Sequence, residues 1–135
     1  MTSQTVIPVV IDRHAEDAAF LWLLRDAAIS EPHYDLKDLA ELDNRLEAHL
    51  DGLRIAGDYA WDVAKEALNI GEPGEVFVAG WLAVDTLDGQ KLDLTINAAK
   101  TSHENQRALA SALAWHPAES IRDLIQSLLN ELFAP

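Results

Sequence analysis

A chain of 135 residues is the size of one domain, long enough to bury roughly two-thirds of its unfolded surface without a covalent staple. It has no cysteine, which excludes disulfides and thiolate metal sites. Ten Lys and Arg against 23 Asp and Glu leave a formal charge of −13 with no basic cluster, which argues against nucleic acid or anionic membrane as ligand; the acidity suits fast association with a basic partner, although keeping the chain soluble is the first reading of it.

The opening residues, MTSQTVIP, have no basic region followed by an apolar core, so a cytoplasmic location is expected. A first helix is predicted from Pro8, whose fixed φ suits a first helical turn, to about Ser30, where Glu31-Pro32 disfavours helix. Inside it, Ala18 to Leu24 reads AAFLWLL, apolar on every side of a helical wheel. Such a helix has to be surrounded by protein, so it is expected to be the centre of the fold. Arg13, His14, Glu16 and Asp17 interrupt it too often for a membrane span.

Asp35 reads as the N-cap of a second helix. Leu36, Leu39, Leu42, Leu46, Leu50 and Leu53 follow at spacings of 3, 3, 4, 4 and 3, one apolar stripe on an amphipathic helix. With fewer than three full heptads, the stripe is expected to pack within the chain rather than to form a dimer seam. Gly57 stops this helix, and Asp58 is expected to cap a third one carrying Trp61, Ala64 and Leu68 on one face.

Gly71, Pro73 and Gly74 mark a break near 71–74 inside a single helical domain spanning 1–135. Residues 75–97 admit two readings: a helix, a turn and a helix, or two strands around an Asp88-Gly89 hairpin with Val76, Val78, Leu92 and Leu94 alternating. Pro73 as a helix start, and alanine and tryptophan among the valines, favour helices. Ser102 caps a further helix with Leu109 and Leu113 inward, Asn105 standing where a full capping box needs a longer acid or amide. Pro117 then starts a last helix, with Ile121, Leu124, Ile125, Leu128, Leu129 and Leu132 on one broad apolar face. The expected fold is all-α, six or seven helices in antiparallel pairs.

Candidate chemistry is sparse. His14, His33, His49, His103 and His116 are scattered, no two of them lie four residues apart, and neither Glu-x-x-His nor His-Glu-x-x-His occurs. His14 with Glu16 and Asp17, or Glu47 with His49 and Asp51, are the nearest approaches to a ligand set, and the second is poor because residues two apart on a helix diverge. No metal or cofactor is therefore expected. There is no Gly-x-Ser-x-Gly and no phosphate-binding glycine loop. Trp22 and Trp81 sit in apolar runs and read as core; Trp115, beside His116-Pro117 at a helix corner, is expected to pack first, and is also a candidate contact for a partner.

Three segments, HAEDAAFLWLLRDAAISEPHYD (14–35), RLEAHLDGLRIAG (45–57) and RALASALAWHP (107–117), resemble the opening of an uncharacterised bacterial family of HEAT-like helical-repeat proteins. Members of that family are often encoded in type VI secretion effector clusters. The resemblance implies stacked helix pairs whose role is binding rather than catalysis, and it carries over no catalytic residue. It also implies that the last helix lies on the surface or pairs with another chain, its stripe being meant for a further repeat.

The expected function is thus protein–protein interaction: an immunity protein that neutralises a basic toxin effector, or alternatively an adaptor that holds an effector for loading. A small metal-dependent enzyme ranks last. Candidate partner-binding residues are Asp38, Glu41, Glu47 and Asp51 on the leucine-stripe helix, Asp58, Glu72 and Glu75 at corners, and Trp115.

Overall fold

The structure, a computed structural model, describes residues 7–132 apart from the side chains at 127–129, 131 and 132. These residues form seven α-helices: α1 (Pro8–Ile29), α2 (Leu36–Ala56), α3 (Asp58–Ala67), α4 (Pro73–Asp85), α5 (Gly89–Ala99), α6 (His103–Trp115) and α7 (Ala118–Leu132). A 3-10 turn, Leu68–Ile70, follows α3. The described residues are all-α, and 75–97 run from α4 through a turn at 86–88 into α5 rather than forming a hairpin. Asp88, half of the hairpin signal, caps α5 by accepting the Gln90 and Lys91 N–H groups. A capping aspartate and a turn aspartate make the same side-chain-to-backbone bond, so the dipeptide fits either reading.

α1 and α2 pack side by side. His14 meets His49 while Arg25 meets Asp43, so the two helices run antiparallel. Asp35 caps α2 as expected, and Asp38 completes a capping box with a shorter acid than usual. Leu46, Leu50 and Leu53 are fully buried and Leu42 nearly so, which places the stripe inside the chain. Leu36, in the first turn, is 85% exposed and takes no part in it.

The helix at the centre is α4, not α1. Every residue from Val76 to Val84 is buried, and α4 packs on α6, α5 and α1 and also touches α2, α3 and α7. Two glycines let its neighbours close in. A Cβ on Gly74 would lie 2.6 Å from the Ala19 backbone oxygen of α1, and one on Gly80 would lie 2.9 Å from Leu109 Cδ1 of α6. On α1 the inner face is buried through Ala15, Ala18, Ala19, Leu21 and Trp22, but Phe20 and Leu23 stand 58% and 41% exposed. The seven-residue apolar run of α1 is under two turns long and is bounded by charged residues, so one side of it still faces solvent.

Aromatic contacts join the layers. Trp22 stacks on Phe77 at 5.6 Å, and Phe77 meets the edge of Trp115 at 5.5 Å. The Trp22 Nε1–H donates to Ser111 Oγ at 2.9 Å, which satisfies the buried indole.

Several local expectations shift. α3 is capped by Gly57, and Asp58 is its first helical residue, where its charge still suits the helix N-terminus. In α6 the most buried residues are Asn105, Ala108 and Ala112, with Leu109 and Leu113 only half-buried. Asn105 is more than the missing end of a capping box: its Nδ2 donates to Gly71 O at 3.0 Å and to Thr101 Oγ1 at 2.8 Å, tying α6 to the 71–74 bend. On α7, Leu124 is buried with Ala83, Val84 and Leu92, and Ile121 packs beside it, whereas Ile125 is exposed. The described part of that stripe therefore joins the core in part instead of lying free, and the side chains of Leu128, Leu129 and Leu132 fall outside the described residues.

Candidate functional site

The cleft between α1, α3 and α4 has a volume of about 610 Å³. Its apolar floor comes from Ala15 and Ala19 of α1, Val63 and Ala64 of α3 and Val78 of α4. Around this floor stand five carboxylates: Asp12 and Glu16 from α1, Asp62 and Glu66 from α3, and Glu75 from α4. Among the described residues no lysine or arginine lines it.

Helical spacing explains how the charges converge. Asp12 and Glu16, like Asp62 and Glu66, are four residues apart and share a helix face. Each like-charge pair of this kind destabilises its helix by about 0.2–0.5 kcal/mol, and the two pairs face one cleft. Tyr59 leans across it, its hydroxyl donating to Asp12 Oδ1 at 3.2 Å. Desolvation, followed by the charge of Asp12, raises the Tyr59 pKa and keeps the hydroxyl protonated. Glu75 is half-buried at the start of α4, and burial raises its pKa, the nearby Glu72 adding to the effect and its own backbone N–H opposing it.

Ionised carboxylates only accept hydrogen bonds. A cationic head on an aliphatic stem is the chemistry that satisfies both parts of this cleft, the stem lying on the alanine and valine floor and the guanidinium or ammonium reaching the rim.

Of the partner-binding candidates named from the sequence, only Glu75 lines this cleft. Glu72, the exposed N-cap of α4, stands beside it. Asp58 is exposed in the first turn of α3. Asp38 is held in the capping box of α2, and Glu41 is exposed one turn further on. Glu47 accepts a hydrogen bond from Trp115 Nε1, and Asp51 pairs with Arg54 at 2.8 Å, so both are engaged within the chain. Trp115 is packed between Phe77 and Arg25, whose guanidinium carbon lies 4.9 Å above its ring. Asp12, Asp62 and Glu66 are not among the residues the sequence singles out, and Glu16 stands out there only beside His14 and Asp17 as a weak ligand set. Their signal was available in the two like-charge pairs, on helices whose remaining surface did not call for them.

Comparison with protein families, with curated proteins and with solved structures finds no match for this chain. Its class is therefore the one its own fold and site define, an all-α protein with an acidic cleft. Among the described residues no helix is long and apolar enough to cross a membrane.

Proposed function

We propose that this chain is an interaction protein that receives a basic element of a protein partner in the α1–α3–α4 cleft, acting as the immunity protein of a cationic toxin effector. One observation carries the reading: five carboxylates from three helices surround an apolar floor. Electrostatic self-repulsion of this kind lowers stability, and a cationic side chain seated among the carboxylates relieves it. The charge of −13 supports steered association with a basic surface. The type VI secretion setting comes from the resemblance of residues 14–35, 45–57 and 107–117 and belongs to this proposal.

Co-expression with a cationic toxin effector tests it, scoring host survival and co-purification. Protection together with a stable complex is expected, with affinity falling as salt screens the rim charges. Changing Asp12, Glu16, Asp62 and Glu66 together to their amides lowers affinity at least about tenfold in low salt and flattens its salt dependence. Unchanged affinity in that variant overturns the cleft as the docking site. A complex without protection overturns the immunity role in favour of an adaptor.

A further inference from the structure

The sequence offers no histidine pair on a single helix, yet the fold makes one across two. His14 on α1 and His49 on α2, 35 residues apart, face each other with Nδ1···Nδ1 at 2.9 Å. Their ring centroids are 5.1 Å apart and the planes are inclined at 59°. Both rings are half-buried at the seam of the two helices, so they are reachable from solvent.

Two nearby features hold this arrangement. Asp17 Oδ2 lies 4.0 Å from His49 Nε2, which favours the proton on that nitrogen and leaves the His49 Nδ1 lone pair directed at His14. Gly52 of α2 backs the other ring: a Cβ there would lie 2.8 Å from His14 Cδ2 and Nε2. The missing side chain thus seats the imidazole with Nδ1 toward His49.

We propose that His14 and His49 form a two-histidine binding site for a tetragonal divalent ion, Cu²⁺ foremost, which displaces the proton lying between the two Nδ1 atoms, sits to one side of the line joining them, and clamps α1 to α2. The 2.9 Å separation is that of a hydrogen bond, and it also matches the bite of cis ligands once both rings turn their lone pairs to one side of the Nδ1···Nδ1 line. Two cis ligands on a metal with bonds of about 2.0–2.1 Å lie about 2.9 Å apart, whereas a tetrahedral pair lies about 3.4 Å apart. Imidazole ligation and the order of divalent-metal affinities both put Cu²⁺ first. Among the described residues no third His, Asp or Glu completes a cluster, so water fills the remaining positions. Binding moves the His14 proton to Nε2 and leaves His49 as it stands, so the neutral pair releases no net proton. Burial lowers the His49 pKa, with His14 and Arg45 adding to the effect and Asp17 opposing it, so the neutral ligand form is favoured at neutral pH. Asp17 acts outside the coordination sphere, orienting His49 and adding negative charge near the ion.

Titrating the intact chain with CuCl₂, followed by electron paramagnetic resonance and thermal unfolding, tests the site. One equivalent is expected to give a tetragonal spectrum with hyperfine coupling from two imidazole nitrogens and to raise the unfolding temperature, because the ion binds across two helices of the folded state. His14→Ala and His49→Ala each abolish the two-nitrogen signal. Asp17→Asn weakens binding about tenfold. Gly52→Ala, which displaces the His14 ring, removes the signal while both histidines are still present. His103→Ala, at an exposed residue on α6, leaves it unchanged. A two-nitrogen signal that survives either histidine variant overturns the proposal, as does an unfolding temperature that Cu²⁺ leaves unchanged.

Discussion

α1 and α4 both carry a run of apolar residues around the whole helical wheel, yet only α4 is enclosed. On α4 no charge intervenes between Glu75 and Asp85, a stretch of more than two turns, and Gly74 and Gly80 bring α1 and α6 close. On α1 the corresponding run covers under two turns, and the helix buries its alanine-rich side while Phe20 and Leu23 face outward. What separates a central helix from a flanking one is thus the length of the uncharged stretch and the presence of small residues on two faces. Apolar content alone does not distinguish them.

The largest expected difference between the two helices is read with one residue type on both. Phe77 on α4 is fully buried, and Phe77→Ala is expected to remove about 3–5 kcal/mol of stability in urea unfolding. Phe20→Ala on α1 should change it by less than about 0.5 kcal/mol. Equal losses would mean that the outer face of α1 is covered in solution. Next in size is Gly74→Ala, where the new methyl meets a backbone oxygen that cannot turn aside; a loss of about 2 kcal/mol is expected. No measurable loss would mean that the two helices do not approach this closely.

A smaller effect depends on pH. His116 packs against Trp81 of α4, and its Nε2–H donates to the Trp81 carbonyl at 3.0 Å. Burial lowers its pKa below the usual 6.5, against the opposing pull of that hydrogen bond and of Asp85. The unfolded chain therefore takes up the proton first as pH falls through about 6.5, and stability declines from there until the folded-state pKa is reached. His116→Gln should reduce the slope of unfolding free energy against pH in that window, and an unaltered slope would contradict the assignment. Smallest is the exit from α4. Leu87 holds φ 52, and the Leu87 and Asp88 N–H groups donate to Val84 and Ala83, the arrangement that usually ends on glycine. Leu87→Gly is expected to stabilise by about 1 kcal/mol in thermal unfolding, and a loss would show that the exposed leucine contributes packing that outweighs its strain.

Much of this architecture was legible in residues that act locally. Pro8, Asp35, Gly57, Ser102 and Pro117 mark helix boundaries because capping and φ restriction involve only neighbouring backbone, and the leucine stripe of α2 locates its buried side for the same reason. The centre of the fold was not legible, because enclosure depends on what reaches the far side of a helix. Gly74 reads as a breaker until Ala19 of α1 is placed against it. The site was lost for the same reason. Acidic residues on α2 are conspicuous beside the leucines, but Glu47 and Asp51 are engaged by Trp115 and Arg54, partners 68 and three residues away. The rim of the cleft lies on helices whose acidic residues look ordinary one helix at a time. His14 and His49 are likewise unrelated until α1 and α2 lie side by side.

The enclosure of α4 also bears on aggregation. Val76 to Val84, VFVAGWLAV, is uncharged, free of proline and rich in β-branched and aromatic residues, the composition that lets a short segment stack into intermolecular cross-β. The alternation that made a hairpin a credible reading of 75–97 is the same property seen in an unfolded chain. Until α1 and α6 close over it, this segment is a sticky strand in waiting, and Glu75 and Asp85 stand at its two ends as the charged gatekeepers that oppose its stacking on a second copy.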